Sequence, residues 1–544
     1  MAADAVQPQL SAKEGSSEMA HLEMAEGVRV EDLQGSMALD LAKRSDPPNP
    51  WSPSMLRLYG LLTVAYLCSA LNGFDGSLMG SLLPISQFRD TFGAGLVGSQ
   101  ASLIQGMYTI GGVSALLFVG FLLDNLGRRT GMFIGSLSVI LGAILGGTAN
   151  HIDQLLASRF FLATIGFGYS VAASAAPAYV VEMSHPAYRD VLTGLYNCQY
   201  YVGAISAAGA CRGCLIYQDS RAWRIPIFCQ LISSCLVAAL VWFIPESPRW
   251  LYSHGHSEKA WDIITKFHGE GNCQNAYVTL QIREYQQAIN LEGSDKRVWD
   301  FRELINTKAA RWRLVCVGIA AFFSQWSQGG ITTYYMGGLL ESAGVTDTTQ
   351  ILNVNLGYTV LSAGGAYIGG AFTPKLRRRP MLMGSSISSA LFFAGLSAAT
   401  GIYSKSQQPS AATASIVMIF LAGFTYSFGW TPLQAMYPVE CLAYETRAKG
   451  MAVYSVFTNI ALLVNQFGIG NAMGAISWHT YIILAGWNGV QCILIYFFAV
   501  ETCKRTLEEL SDIFVAPNPR KKSTQPHQVV VSTETDEVLE LKEA

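Results

Sequence analysis

The run LYGLLTVAYLCSALNGFDGSLMGSLL, from Leu58 to Leu83, carries one charged side chain, Asp75, and is otherwise apolar or small. About 20 such residues in helical conformation cross the hydrocarbon core of a bilayer. Working outward, eleven further runs have the same character. They are Gly98–Leu122, Met132–Ala149, Leu155–Val180, Val191–Ala210 and Ile225–Pro245, then, after a polar stretch, Leu314–Leu340, Ile351–Phe372, Met381–Ile402, Ala412–Tyr437, Gly450–Gly470 and Tyr481–Val500. The pattern predicts an all-α membrane protein with twelve transmembrane helices in two six-helix halves.

Composition agrees. Of 544 residues, 51% are hydrophobic and 14% charged, more apolar material than one aqueous core would hide. The net charge of -2 collects in the two tails and the central stretch, and no basic field points to nucleic acid. Most of the eleven cysteines lie singly in apolar runs, where a thiol packs as a small hydrophobe. Cys211 and Cys214 form a CxxC after the fifth run, read as ordinary packing or as a disulfide on the non-cytosolic side.

Residues 1–54 read as a disordered cytosolic tail, 55–245 as the first half, 246–313 as a cytosolic loop of amphipathic helices, 314–500 as the second half and 501–544 as a cytosolic tail. In the loop, apolar positions recur at helical spacing: Ala260, Trp261, Ile264 and Phe267, then Tyr277, Leu280 and Tyr285, then Trp299, Phe301 and Leu304. Short loops holding Arg128, Arg129, Arg189, Lys375, Arg377, Arg378, Arg379, Arg447 and Lys449 share a side with both tails. The positive-inside tendency makes that side cytosolic.

The two sixes repeat. Gly120, Asp124, Arg128 and Arg129 follow the second run, and Gly370, Pro374, Arg378 and Arg379 follow the eighth at the same spacing. Glu182 precedes Arg189 by the interval that separates Glu440 from Arg447, and Glu246 after the sixth run is echoed by Glu501 after the twelfth. Two similar halves rocking about a midplane site are one way to build a transporter. These acids and arginines, with Arg249, are candidates for ion pairs that hold the cytosolic face closed.

The string Pro245-Glu246-Ser247-Pro248-Arg249-Trp250-Leu251 resembles the signature of the sugar porter family. The loop Asp124-Asn125-Leu126-Gly127-Arg128-Arg129, the helix end Pro177-Ala178-Tyr179-Val180-Val181-Glu182 and the pair Glu501-Thr502 with Thr506-Leu507-Glu508-Glu509 resemble its other motifs. The resemblance covers roughly 55–514. The segments Ser184-His185-Pro186-Ala187-Tyr188-Arg189, Gln325-Trp326-Ser327 and 431–440 are similar to the fungal lactose and cellodextrin permease branch. It implies a fungal source, the major facilitator fold, a monomer, and alternating-access import of a mono- or disaccharide across the plasma membrane.

The resemblance also implies that Asp75 takes up a proton and pairs with Arg159. Arg159 stands three residues farther from the Gly166-Phe167-Gly168 run than the family pattern has it, nearly one turn, or roughly 4.5 Å. A polyol needs amides that donate and accept, beside aromatic faces. Asn197 and Gln325 match family contact positions, and Trp430 and Asn459 lie near others. Gln328-Gly329-Gly330 stands where the family usually has an Asn, and the loop at 374–379 lacks the acid and glycine of its first-half counterpart. These departures leave room for a secondary metabolite or another polyol as cargo. A non-transporting sugar sensor is a further alternative, disfavoured by a short C-terminal tail. No phosphate loop, histidine–cysteine metal cluster or nucleophile elbow is present in the sequence, so no cofactor, metal or enzymatic reaction is expected.

Overall fold

The computed structural model describes residues 42–525 except 44, 165–167, 293–300, 374, 444–445, 504 and 506. The regular elements are all helices, without strands among the described residues. Among the described residues, eight helices are long and apolar enough to cross a membrane by length and composition. Four further spans, among them the unbroken helix Thr348–Phe372, complete the twelve.

In the first half, span one is Pro53–Leu82. Spans two and three form one run, Ser99–Gly147, interrupted where Gly127 takes φ 85° and ψ 171°. Span four comprises Ile152–Thr164 and Gly168–Met183. Span five comprises Arg189–Cys198 and Tyr200–Gly213, and span six is Arg221–Leu240. In the second half, span seven comprises Lys308–Trp326 and Gly329–Ser342. Span eight is Thr348–Phe372, span nine Arg378–Ser406 and span ten Pro409–Cys441, which runs on through Pro432. Span eleven is Arg447–Val464 with a π-helical turn Asn465–Ile469 and a last piece Gly470–Ile476, and span twelve is His479–Phe498.

Small residues let the spans close on one another, as is general where lipid gives helices no hydrophobic reason to associate. A Cβ on Gly73 would lie 1.8 Å from the Tyr200 carbonyl oxygen, and one on Gly203 would lie 1.7 Å from that of Ala70. Spans one and five therefore touch backbone to backbone, and Asp75, two residues on from Gly73, is fully buried. The halves also bond to each other at the face opposite the charged loops. Gly98 donates to the Gly470 carbonyl at 3.1 Å, Asn355 to Ser81 at 2.9 Å and Arg212 to Asn353 at 2.6 Å.

Of the tails and loop, 1–41 and 526–544, together with Trp299, lie outside the described residues. The loop holds the helices Ser257–Phe267 and Ala276–Glu292, which bury Ala260, Ile264, Phe267, Tyr277, Leu280 and Tyr285. Leu304 is buried too, while Trp261 and Phe301 are exposed. The stretch after Val500 is not simply a tail: Leu510, Ile513 and Phe514 of the helix Leu507–Val515 are buried with Cys316 and Val317 of span seven. Cys211 and Cys214 are free thiols, the first buried, which agrees with the packing alternative.

The loop after span four docks on these helices through two buried histidines. The His185 ring packs at 4.5 Å from Tyr277 and 5.3 Å from His268, and its Nδ1 accepts from the Ala187 N–H. Nε2 of His268 lies 3.0 Å from the Met183 carbonyl, and its Nδ1 lies 2.6 Å from the Gln281 amide oxygen as placed, so both ring nitrogens face acceptors. A neutral ring fits if that amide is turned so that its nitrogen donates. Burial, with the charges of His268 and Arg189 nearby, pushes His185 down to about 3, and burial lowers His268 as well. Unfolded histidine takes up its proton near pH 6.5, so below that pH the unfolded chain binds more protons than the folded one. The cluster's contribution is whole above about pH 6.5 and drains away as pH falls toward 3. We expect the melting midpoint in detergent to drop between pH 7.5 and 5.5 and to drop less in His185→Asn; equal slopes would exclude this origin.

Candidate functional site

Each half carries the same clamp at its charged end. Glu246 accepts from the N–H groups of Arg128 at 3.0 Å, Arg129 at 3.1 Å and Ser247 at 2.9 Å. Arg128 reaches Glu182 at 3.1 Å and the Leu123 carbonyl at 3.2 Å, and the Ser247 hydroxyl donates to Glu182. In the second half, Glu501 accepts from the N–H groups of Arg378 at 2.9 Å, Arg379 at 3.1 Å and Cys503 at 3.1 Å. Arg378 reaches Glu440 at 2.9 Å and the Thr373 carbonyl at 2.6 Å, and the Thr502 hydroxyl donates to Glu440 at 2.5 Å. Even the tyrosines correspond: Tyr179 donates to the Pro245 carbonyl at 3.0 Å and Tyr437 to that of Val500 at 2.9 Å.

These charge-assisted bonds join helices within a half. The remaining candidates lie outside them. Asp124 is 77% exposed at its side chain and stands 4.0 Å from Arg128, a weak contact. The Arg129 guanidinium sits 4.8 Å over the Trp242 ring. Arg189 and Arg249 lie within electrostatic range of Glu284 on the loop helix, and Arg447 lies within range of Arg313.

The midplane residues are arranged around the break in span seven. Hydrocarbon supplies no donors, so each carbonyl freed there needs one from the protein. Tyr426 donates to the Ser324 carbonyl at 2.7 Å, Asn465 to that of Gln325 at 3.0 Å and Asn488 to that of Ser327 at 3.4 Å. The Gln325 side chain donates to Ser324 at 3.4 Å. The Gln328 amide, correctly turned, donates to the Ala422 carbonyl at 2.6 Å and accepts from the Gly423 N–H at 2.8 Å. Asn197 crosses between halves to the Thr431 carbonyl at 3.1 Å. Asn459 is turned back on its own helix, donating to the Ser455 carbonyl at 2.8 Å. Trp430 is wholly buried, and its Nε1 has no partner among the described residues.

Asp75 is fully buried, with neither oxygen hydrogen-bonded among the described residues. Arg159 is 2% exposed and within electrostatic range, yet the expected ion pair is not made. Its guanidinium instead sits 4.9 Å over the Tyr108 ring, with Nε and Nη1 unpartnered. The one-turn offset of Arg159 in the sequence is a physical reason for the gap; 166 and 167 of the reference run lie outside the described residues.

Residues beyond the expected set meet here as well. Tyr201 bonds Ser427 across the halves at 2.7 Å, Tyr200 approaches Ser77 at 3.4 Å, Thr109 donates to Gln466 at 2.7 Å, and Tyr335 reaches the Gln466 carbonyl and Ser102. The doublets Tyr200-Tyr201 and Tyr334-Tyr335 inside apolar runs were the available signal.

The family model described as "Sugar (and other) transporter" matches residues 61–514. The chain belongs to that family. Within it, the chain is 27% identical to a high-affinity glucose transporter of Kluyveromyces lactis, covering 85% of this chain and 86% of the relative. It is 25% identical to the MFS-type transporter criB of Aspergillus cristatus over 83% and 92%. A quinate permease of Neurospora africana is 24% identical over 87% and 92%. Among solved structures, the inward open conformation of the xylose transporter XylE from E. coli superposes with a TM-score of 0.67 at 17% identity, covering 84% of this chain and 99% of that one. The fold is the major facilitator fold, and the protein is a multi-pass membrane transporter.

The clamp yields a test. Gly127 has positive φ, and a Cβ there would lie 2.4 Å from Glu246 Oε2. Gly127→Ala should therefore cost about 2–4 kcal/mol from the strained backbone and a disturbed carboxylate. A clear fall in the melting midpoint in detergent is expected, with no such fall for Arg377→Ala at the second-half position, whose φ is -67°. Equal tolerance at both positions would contradict this account.

Proposed function

We propose that this transporter carries a mono- or disaccharide together with a proton, by alternating access, across the plasma membrane with both termini in the cytosol. The observation that carries the reading is Asp75: a buried carboxyl with no hydrogen-bond partner among the described residues, on a helix wedged between spans five and seven, beside an arginine it does not touch. An intramembrane acid in such a place is functional by default. Protonation would leave Arg159 with Tyr108, and loss of the proton would draw the guanidinium across, so that the proton's state is coupled to the seating of span four against span one.

Asn197, Gln325, Gln328 and Trp430 are proposed to contact cargo, exchanging bonds now made to protein groups for bonds to hydroxyls. Asn459 has the weaker claim, since its nitrogen is engaged within its own helix. The paired clamps are proposed to keep each half rigid as it rocks, with Arg189, Arg249 and Arg447 meeting the loop helices and the neighbouring half at the cytosolic face. The sugar branch is supported by the glucose transporters among the relatives; the lactose and cellodextrin assignment rests on the resemblance of the motifs alone.

A second reading, transport of a cyclic polyol acid or a secondary metabolite, is favoured by Gln328-Gly329-Gly330 and by a relative named quinate permease. Uptake of a panel of labelled sugars and quinate into cells lacking their own carriers, with and without a protonophore, separates the two. We expect concentrative uptake of at least one sugar, abolished by the protonophore. Asp75→Asn should remove accumulation and pH dependence while leaving exchange measurable. Quinate uptake with no sugar uptake would favour the second reading, and an Asp75→Asn carrier that still accumulated cargo would remove the proton role.

A further inference from the structure

Span twelve ends in Tyr496, Phe497 and Phe498, which are 44%, 53% and 39% exposed. Exposed rings at the end of a spanning helix belong to the headgroup level of a bilayer. Two guanidinium groups converge on the first ring. That of Arg379, at the start of span nine, lies 5.0 Å from the Tyr496 centroid. That of Arg520, in the short helix Pro519–Ser523, lies 4.3 Å from the same ring and 5.9 Å from Phe497.

Two cations on one ring repel each other, and they are within range to do so. The carboxylate beside them, Glu501, is already turned to the N–H groups of Arg378, Arg379 and Cys503. Arg379 is nine-tenths buried and donates from Nη2 to the Tyr496 carbonyl, while its Nε and that of Arg520 are shut off from solvent without an acceptor among the described residues. Lys521 follows and is exposed; Lys522 donates to the Asp512 carbonyl at 3.1 Å. Arg520 and Lys521 lie beyond residue 514, where the family match ends, whereas Arg379 and Tyr496 lie within it.

We propose that Arg379 and Arg520 form a binding site for the phosphate of an anionic phospholipid, with Lys521 at its rim and the acyl chains lying along the outer face of span twelve. Forked guanidinium groups suit a phosphate oxygen pair. The exposed rings single out a lipid, because a free phosphate would leave them nothing to cover. Basic residues directly outside a spanning helix attract anionic headgroups by about fivefold in affinity for each cation. The inference rests on the membrane reading of the chain and not on its cargo.

The test uses the full-length protein in detergent, titrated with phosphatidylserine or phosphatidylcholine and followed by native mass spectrometry without any sugar. Wild type should retain phosphatidylserine in preference to phosphatidylcholine. Arg520→Gln should lose about fivefold in phosphatidylserine affinity and Arg520→Gln/Lys521→Gln more, with Arg520→Lys in between. Inorganic phosphate at the lipid's concentration should not displace it. Equal retention of the two lipids by wild type, unchanged affinity in Arg520→Gln, or displacement by inorganic phosphate would overturn the proposal. Position 520 lies outside the spans, so Arg520→Gln should keep the wild-type melting midpoint without lipid; a matching fall there would assign Arg520 to packing and overturn it equally.

Discussion

Hydrocarbon offers a released carbonyl no donor, and this shapes the second half of the protein more than any single contact. Span seven breaks at Ser327 and Gln328, and the freed carbonyls of Ser324, Gln325 and Ser327 are met by Tyr426, Asn465 and Asn488 from spans ten, eleven and twelve. All three donors belong to the same half, so the break is a joint anchored at its base. The piece beyond it, Gly329–Ser342, packs on the other half: a Cβ on Gly80 would lie 2.1 Å from the Thr333 carbonyl, and Tyr335 bonds Ser102. One short helix is thus hinged on one body and seated on the other, at the face where the halves are bonded together.

The clamps at the charged face show how a duplicated fold can keep its geometry while its sequence drifts. In the first half Glu246 reaches three N–H groups because Gly127 turns the chain with a positive φ. In the second, the corresponding residue is Arg377 with extended backbone, φ -67° and ψ 140°, and Glu501 still collects the N–H groups of Arg378 and Arg379. What both halves keep is a carboxylate facing the first turn of a helix, where N–H groups are free and the dipole favours negative charge. The glycine is one solution to that requirement and not the requirement itself.

The fold was legible because bilayer thickness writes itself into run length, and the repeat was legible because Glu182, Glu246, Glu440 and Glu501 stand at matched offsets. Which side chains meet was less so. The acids and arginines stood out as a set of candidates for ion pairs, but the spacing did not say who meets whom: Glu182 takes Arg128, and Arg189 lies within electrostatic range of Glu284 on the loop helix. Offsets along one segment record duplication; they do not record how far a neighbouring helix has rotated. Asp75 was conspicuous as a charge in an apolar run, whereas Asn465, Asn488 and Tyr426 were not, since their partners are backbone carbonyls exposed only by a break elsewhere. The docking of 507–514 on span seven was hidden for another reason: a helix of two turns has too few positions for its apolar face to stand out.

The separation of Asp75 from Arg159 matters more than a formed pair would. A buried ion pair in contact is hard to break, since removing one partner strands the other charge at a cost of about 3–5 kcal/mol. A coupling device built that way would sit in one state. Here the arginine has an alternative seat on the Tyr108 face, worth about 2 kcal/mol when desolvated, and the carboxyl has none among the described residues. On the proposed coupling, the two arrangements of Arg159 are closer in free energy than a contact pair and a stranded charge would be. On the proposed reading, one proton on Asp75 is enough to choose between them, and the one-turn displacement of Arg159 becomes the feature that keeps the choice open.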